Sequence, residues 1–162
     1  PLQRLACRVP FVLRVIGGVP PEMPGVEVEV MNWSEATEVL NIGGADVGLM
    51  PLRDSHWERG KCGYKLIQYM ACGLPVVASA VGVNTEIVRE GKNGFLVSAD
   101  DEWVERLALL VQNEPLRHEM GAQGRKLVEQ QYCVQQTGPH LAQILKRAAQ
   151  GAHAPHPSGT GV

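Results

Sequence analysis

The chain has 162 residues, 44% of them hydrophobic and 20% charged, with a formal net charge of -2. That length supports one domain with a substantial core but hardly two, and the composition is that of an ordinary globular domain. The slight negative balance excludes a global attraction to nucleic acid or anionic lipid, so any anion site has to be local.

Four cysteines, Cys7, Cys62, Cys72 and Cys133, form no CxxC pair and no His/Cys cluster with zinc spacing. They read as reduced thiols of a cytoplasmic protein, and no metal is expected. No apolar run approaches the ~20 residues of a membrane span, and no signal-peptide pattern opens the chain. His56, His118, His140, His153 and His156 show neither metal nor triad spacing.

Residues 9–18 (VPFVLRVIGG) are a β-rich apolar run closed by two glycines, which predicts a buried strand and a turn. VEVEVM (26–31) alternates apolar and acidic residues and reads as a strand near a sheet edge. Residues 32–45 predict a helix with Ser34 as N-cap, Glu35 and Glu38 in its first turns, and Gly43-Gly44 as the stop. DVGLMP (46–51) reads as a short strand, and LRDSHWERGKC after it as a loop. A helix is expected over about 63–72, then the strand PVVASA (75–80), a short helix around Thr85 to Arg89, and the strand GFLVS (94–98). Helices follow over 100–113 and 114–132, the second with Pro115 at an early, tolerated position. A last helix is expected from Pro139. Residues 150–162, rich in Gly, Pro and Ala, read as a disordered tail behind a domain of residues 1–149. Alternation of helices with continuous apolar strands is the pattern of a Rossmann-like, doubly wound parallel α/β sheet, which binds ligands beyond the carboxyl ends of its strands.

The stretch KCGYKLIQYMACGLPVVAS (61–79) carries the chemistry. On a helical wheel Leu66, Ile67, Met70 and Ala71 form one apolar stripe, while Lys61, Lys65 and Gln68 form a polar one. Gly73 ends the helix and Pro75 cannot continue it. The residues at its start, Gly60, Lys61, Cys62 and Gly63, offer backbone N–H groups that no helical turn satisfies. The helix dipole favours negative charge there by roughly 0.3–1 kcal/mol. With two lysines beside them, these groups describe a phosphate or diphosphate cradle. Yet every α/β protein has helix N-termini, and two lysines on a helix commonly form a solvated face. The stretch by itself leaves both readings open.

The order of motifs over residues 45–97 resembles the donor-binding, carboxyl-terminal half of GT-B glycosyltransferases of the family 4 type. The residues that carry this are Gly63, Met70-Ala71, Gly73, Pro75-Val76-Val77-Ala78, Gly82 with Glu86, and Gly91 with Asn93-Gly94-Phe95-Leu96. Trp103 with Leu107, Leu116-Arg117, Met120-Gly121 and Gly124-Arg125 extend it, so that it covers about residues 9–149. The resemblance implies a nucleotide sugar such as a UDP- or GDP-sugar as substrate, with no cofactor. Its diphosphate would lie at Lys61, Cys62, Gly63, Tyr64 and Lys65, its ribose at Gln68, its sugar near Glu86 and Glu58, and its base near Met31 and Asn32. Such enzymes often carry two glutamates eight positions apart here. Those positions fall on Gly60 and Gln68, so both carboxylates are missing, although an amide still donates to and accepts from hydroxyls.

Three further expectations follow from the resemblance. The chain opens at what resembles the end of the fold's first helix, and the first strand, which would lie between residues 9–16 and 46–50, is lacking. An amino-terminal acceptor domain is the expected partner, and these 162 residues alone are expected to be inactive. The complete enzyme is expected in the cytoplasm, peripherally associated with the inner face of the membrane. A non-catalytic nucleotide- or partner-binding module and a GT-B sugar-nucleotide epimerase share the architecture and stay as alternatives.

Overall fold

A computed structural model describes residues 1–151. Helix α1 (Leu2–Ala6) leads to strands β1 (Val12–Ile16) and β2 (Glu27–Met31), helix α2 (Glu35–Gly43) and strand β3 (Gly48–Met50). Then come α3 (His56–Arg59), α4 (Tyr64–Ala71), β4 (Val76–Ser79), α5 (Asn84–Ile87) and β5 (Gly94–Val97). Three helices follow: α6 (Asp100–Gln112), α7 (Glu114–Gln131) and α8 (Val134–Gly151).

All strand pairs are parallel. They form two sheets, β1-β2 and β3-β4-β5, rather than one continuous sheet. The three-stranded sheet is covered on both faces. Val77, Phe95 and Val97 pack on one side against Leu5, Val104, Leu107, Leu110 and Met120. Val76 and Ala78 face the other way, against Leu66, Met70, Ile87, Leu127 and Val128. That two-sided burial is why β4 is a continuous apolar run.

The strand expected to be buried over 9–18 is only partly so. In β1, Val12 is exposed and Leu13 to Ile16 are half-buried. The reason is topological: β1 pairs with β2 alone, and its other edge looks across a cleft of about 470 Å³ toward β3. Phe11, Leu13, Val47, Leu49, Leu74 and Leu107 line that cleft. The expected edge position of the alternating segment at 26–31 is seen in β2, which pairs only with β1.

Local signals set most element ends. Ser34 caps α2, its hydroxyl accepting from the Thr37 N–H at 3.2 Å. At the end of α4 the Gly73 N–H donates to Met70 O and the Leu74 N–H to Tyr69 O, each at 3.0 Å, a Schellman closure with Gly73 at φ +76°.

Three boundaries differ from expectation. The loop after β3 contains the four-residue helix α3, because Ser55 stands at its N-cap and Glu58, three residues on, hydrogen-bonds the Ser55 hydroxyl. The turn expected around Thr85 to Arg89 is α5 at Asn84–Ile87, and Val88 is already extended. The last helix starts at Val134, with Pro139 inside it. The Gln136 and Thr137 N–H groups bond to Cys133 O and close a first turn that does not need the amide proline lacks. α8 also runs through Gln150 and Gly151, which were expected in the tail; residues 152–162 lie outside the described part of the chain.

Candidate diphosphate site at the mouth of α4

The carboxyl ends of β3 and β4 are joined by a side chain: Ser79 Oγ accepts from the Leu52 N–H at 2.9 Å. The chain then passes through α3 and enters α4 at Gly63, the N-cap, with φ +69°. A Cβ on Gly63 would sit 2.5 Å from Ile87 Cδ1 of α5, so this position needs both glycine's backbone freedom and its lack of a side chain. Just below, Asn84 is 1% exposed. Its amide nitrogen donates to Ser79 O at 3.0 Å, while its Oδ1 is enclosed without a partner.

The expected cradle is narrower than the sequence suggested. The Gly60 and Lys61 N–H groups are taken by Trp57 O and Glu58 O at the end of α3, at 3.2 and 3.1 Å. Among the described residues the amides of Cys62, Gly63, Tyr64 and Lys65 have no backbone acceptor, which is the normal condition of a helix's first turn. Cys62, Tyr64 and Lys65 are exposed and Gly63 is buried. Lys61 is also exposed, one residue before them. The mouth therefore offers unpaired amides, the positive end of an eight-residue helix and two ammonium groups.

Glu38 is the acid that meets this mouth, and sequence reasoning treated it only as a first-turn residue of α2. Lys65 Nζ donates to Glu38 Oε1 at 3.0 Å, and the Glu38 side chain is 18% exposed. Hydrogen bonding from the Trp33 side chain, then from Lys65, holds the Glu38 carboxyl below its ordinary range, with a smaller contribution from Gln68. The Gln68 carbonyl, Oε1, is enclosed and has no partner. A contact spanning 27 residues leaves no periodic trace in sequence. The only available hint was a carboxylate on the capped end of a helix.

The remaining expected residues lie on other elements. Glu58 lies in α3, its carboxylate held below the usual range chiefly by the Ser55 hydroxyl. Glu86 is exposed on α5, and Ile87 of that helix and Val83 just before it lie under Gly63. Met31 ends β2 and Asn32 follows it exposed. Trp33, the next residue, is 55% exposed. It packs over Gly17 at the end of β1, where a Cβ would come within 2.7 Å of Trp33 Cβ. Among the described residues no group of three His, Cys, Asp or Glu side chains could hold a metal ion.

Residues 26–127 match the family described as glycosyl transferases group 1, well over half of the chain. The chain belongs to this family. A D-inositol 3-phosphate glycosyltransferase of Nocardioides sp. is 43% identical over 54 residues, covering 32% of this chain and 12% of that protein. Sucrose-phosphate synthase of Thermosynechococcus elongatus shares the fold with a TM-score of 0.72 at 19% identity, over 86% of this chain and 39% of that one. Anabaena HepE, solved in complex with UDP and glucose, gives a TM-score of 0.62 at 19% identity, over 75% of this chain and 32% of that one. The chain thus spans well under half the length of these group 1 relatives and structural neighbours. Its parallel sheets and flanking helices are those of a GT-B glycosyltransferase fold, of the Rossmann-like kind expected. No helix among the described residues is long and apolar enough to cross a membrane.

Proposed function

We propose that this chain is the donor-binding, carboxyl-terminal half of a family 4 type glycosyltransferase. It positions a nucleotide-diphosphate sugar for transfer to an acceptor hydroxyl, with retention. The observation that carries the reading is the mouth of α4, with unpaired amides from Cys62 to Lys65, a positive-φ glycine and Lys61 and Lys65 alongside. It stands beyond the carboxyl ends of parallel strands, where such sheets bind ligands. The fold shared with a protein solved with UDP and glucose supports the choice of nucleotide.

The work assigned to the site is positioning and charge stabilisation. The diphosphate accepts from the first-turn amides, and the helix dipole and lysines offset the negative charge that grows on it as the sugar departs. Gln68 faces the ribose, Met31 and Asn32 the base, and Glu86 the donor sugar. Glu58 joins them only by leaving Ser55. No metal or other cofactor has a role. Acceptor recognition falls to a further domain that the longer relatives have room for, so the 162 residues alone are expected to transfer nothing. The proposed setting is the cytoplasm, with the complete enzyme at the inner face of the membrane.

A second reading, a nucleotide-binding module without turnover, is favoured by one observation. Gly60 and Gln68 stand where the resemblance expects carboxylates. Cys62 provides the test, being exposed in the proposed cradle. Saturating UDP or GDP should slow its alkylation several-fold while leaving the equally exposed Cys7 unaffected. An unchanged rate at Cys62 with both nucleotides would contradict donor binding at this mouth.

A further inference from the structure

We infer that Glu38 of α2 and Gln68 of α4 together form a clamp for the vicinal diol of the nucleotide's ribose, with Glu38 supplying from another helix the carboxylate that position 68 lacks. This rests on the proposed donor site and adds to it a residue on a different element.

Three observations converge. First, Glu38 is brought to α4 by Lys65, 3.0 Å away, and the Lys65 ammonium is nearly half exposed while the Glu38 side chain is 18% exposed. Second, the Gln68 side chain is the smallest of the influences that hold the Glu38 carboxyl below its ordinary range, and an ionised carboxylate can take only the donor end of that amide. The Gln68 carbonyl is thereby left enclosed and unpartnered, whereas buried side-chain polar atoms are normally paired. Third, the Trp33 side chain, on the loop after β2, is the largest of the influences that hold the same carboxyl low.

What a ligand must bring to this cluster follows from its donors and acceptors. The Glu38 carboxylate has lone pairs beyond those that Lys65 uses, and Gln68 Oε1 has no donor at all. Two neighbouring acceptors call for two neighbouring O–H donors on one neutral group. A phosphate, all acceptors, would be repelled. A cis-diol satisfies both. Lys65 and Gln68 are three residues apart, so their side chains leave one helix face about 5–6 Å apart. That offset suits a diphosphate at the first turn and its ribose one turn further in. Lys65 links the two events. A phosphate at the mouth competes for its ammonium, and once Lys65 turns to the phosphate the Glu38 carboxylate is released to the hydroxyls, beside the unpartnered Gln68 carbonyl.

The test is calorimetric titration of the chain with UDP, GDP, their 2′-deoxy counterparts and inorganic pyrophosphate. At least one ribonucleotide should bind about tenfold or more tightly than its 2′-deoxy counterpart, the scale of one hydrogen bond to a charged acceptor. In Glu38→Gln that preference should collapse to within about twofold, while pyrophosphate binds as well as before or better, since Lys65 is released. Gln68→Leu should lower the preference in the same way and serves where Glu38→Gln destabilises the chain. Equal binding of ribo- and deoxynucleotide by the unmodified chain overturns the clamp and leaves the diphosphate cradle standing, as does a preference unchanged in both variants. Absence of binding by every ligand overturns the donor site and the clamp with it.

Discussion

Gly63 is where the backbone and the proposed ligand both need the smallest residue. Its φ of +69° disfavours any L side chain, and a Cβ there would strike Ile87. Gly63→Ala is expected to lower stability by about 1–3 kcal/mol, read by chemical denaturation, through strain and the collision with α5. The sequence already marked this glycine, since a helix start needs no long-range information. The Glu38–Lys65 pair was invisible for the opposite reason, because it joins helices far apart in the chain. Its pH behaviour can be stated with its sign. The folded carboxyl lies below its ordinary value of 4.5, so the pair's contribution is complete above 4.5 and disappears as pH falls through the lower folded value. The stability difference between the chain and Glu38→Gln should therefore be steady near neutrality and shrink in acid. A difference that grew on acidification would contradict the assignment.

At the scale of elements, α4 and α7 show how much an apolar pattern can specify. Leu66 and Met70 of the predicted stripe are fully buried, and Gly121 and Gly124 of α7 allow the close approach. A Cβ on Gly121 would fall 1.9 Å from Gly73 O, the residue that ends α4. Gly121→Ala should thus separate the two helices and destabilise the fold by about 1–3 kcal/mol, with a drop in midpoint visible by thermal unfolding. The spacing of these glycines was legible, but not what they touch. Two element errors have physical sources. α3 is one turn held by a Ser55–Glu58 bond, too short for any periodicity. In α8 proline read as a start, although the turn before it closes on Cys133 O without proline's help.

For the whole molecule, burial divides along the cleft. β4 is buried at every residue, while β1 and β2 are at most half-buried beside the open edge. Hydrogen exchange should follow this division, with the paired amides of Val12–Ile16 exchanging well before those of Val76–Ser79. Equal protection in both sheets would show that the two move as one cooperative unit. The parallel, two-sided character of the sheet could be anticipated from the continuous apolar runs, but its division in two and the depth of β1 could not. A strand's burial depends on the neighbour at its edge, and no local pattern in 9–18 reports that neighbour.

The claim on which the rest depends is that a nucleotide diphosphate is held at the mouth of α4. Calorimetry of the 162-residue chain with UDP and with GDP, alongside Lys65→Ala, tests it most directly. Saturable binding of at least one of them below millimolar concentration is expected, weakened about tenfold in Lys65→Ala by loss of a charge-assisted contact. No binding of either nucleotide at millimolar concentration, or an affinity that Lys65→Ala leaves unchanged, would contradict it.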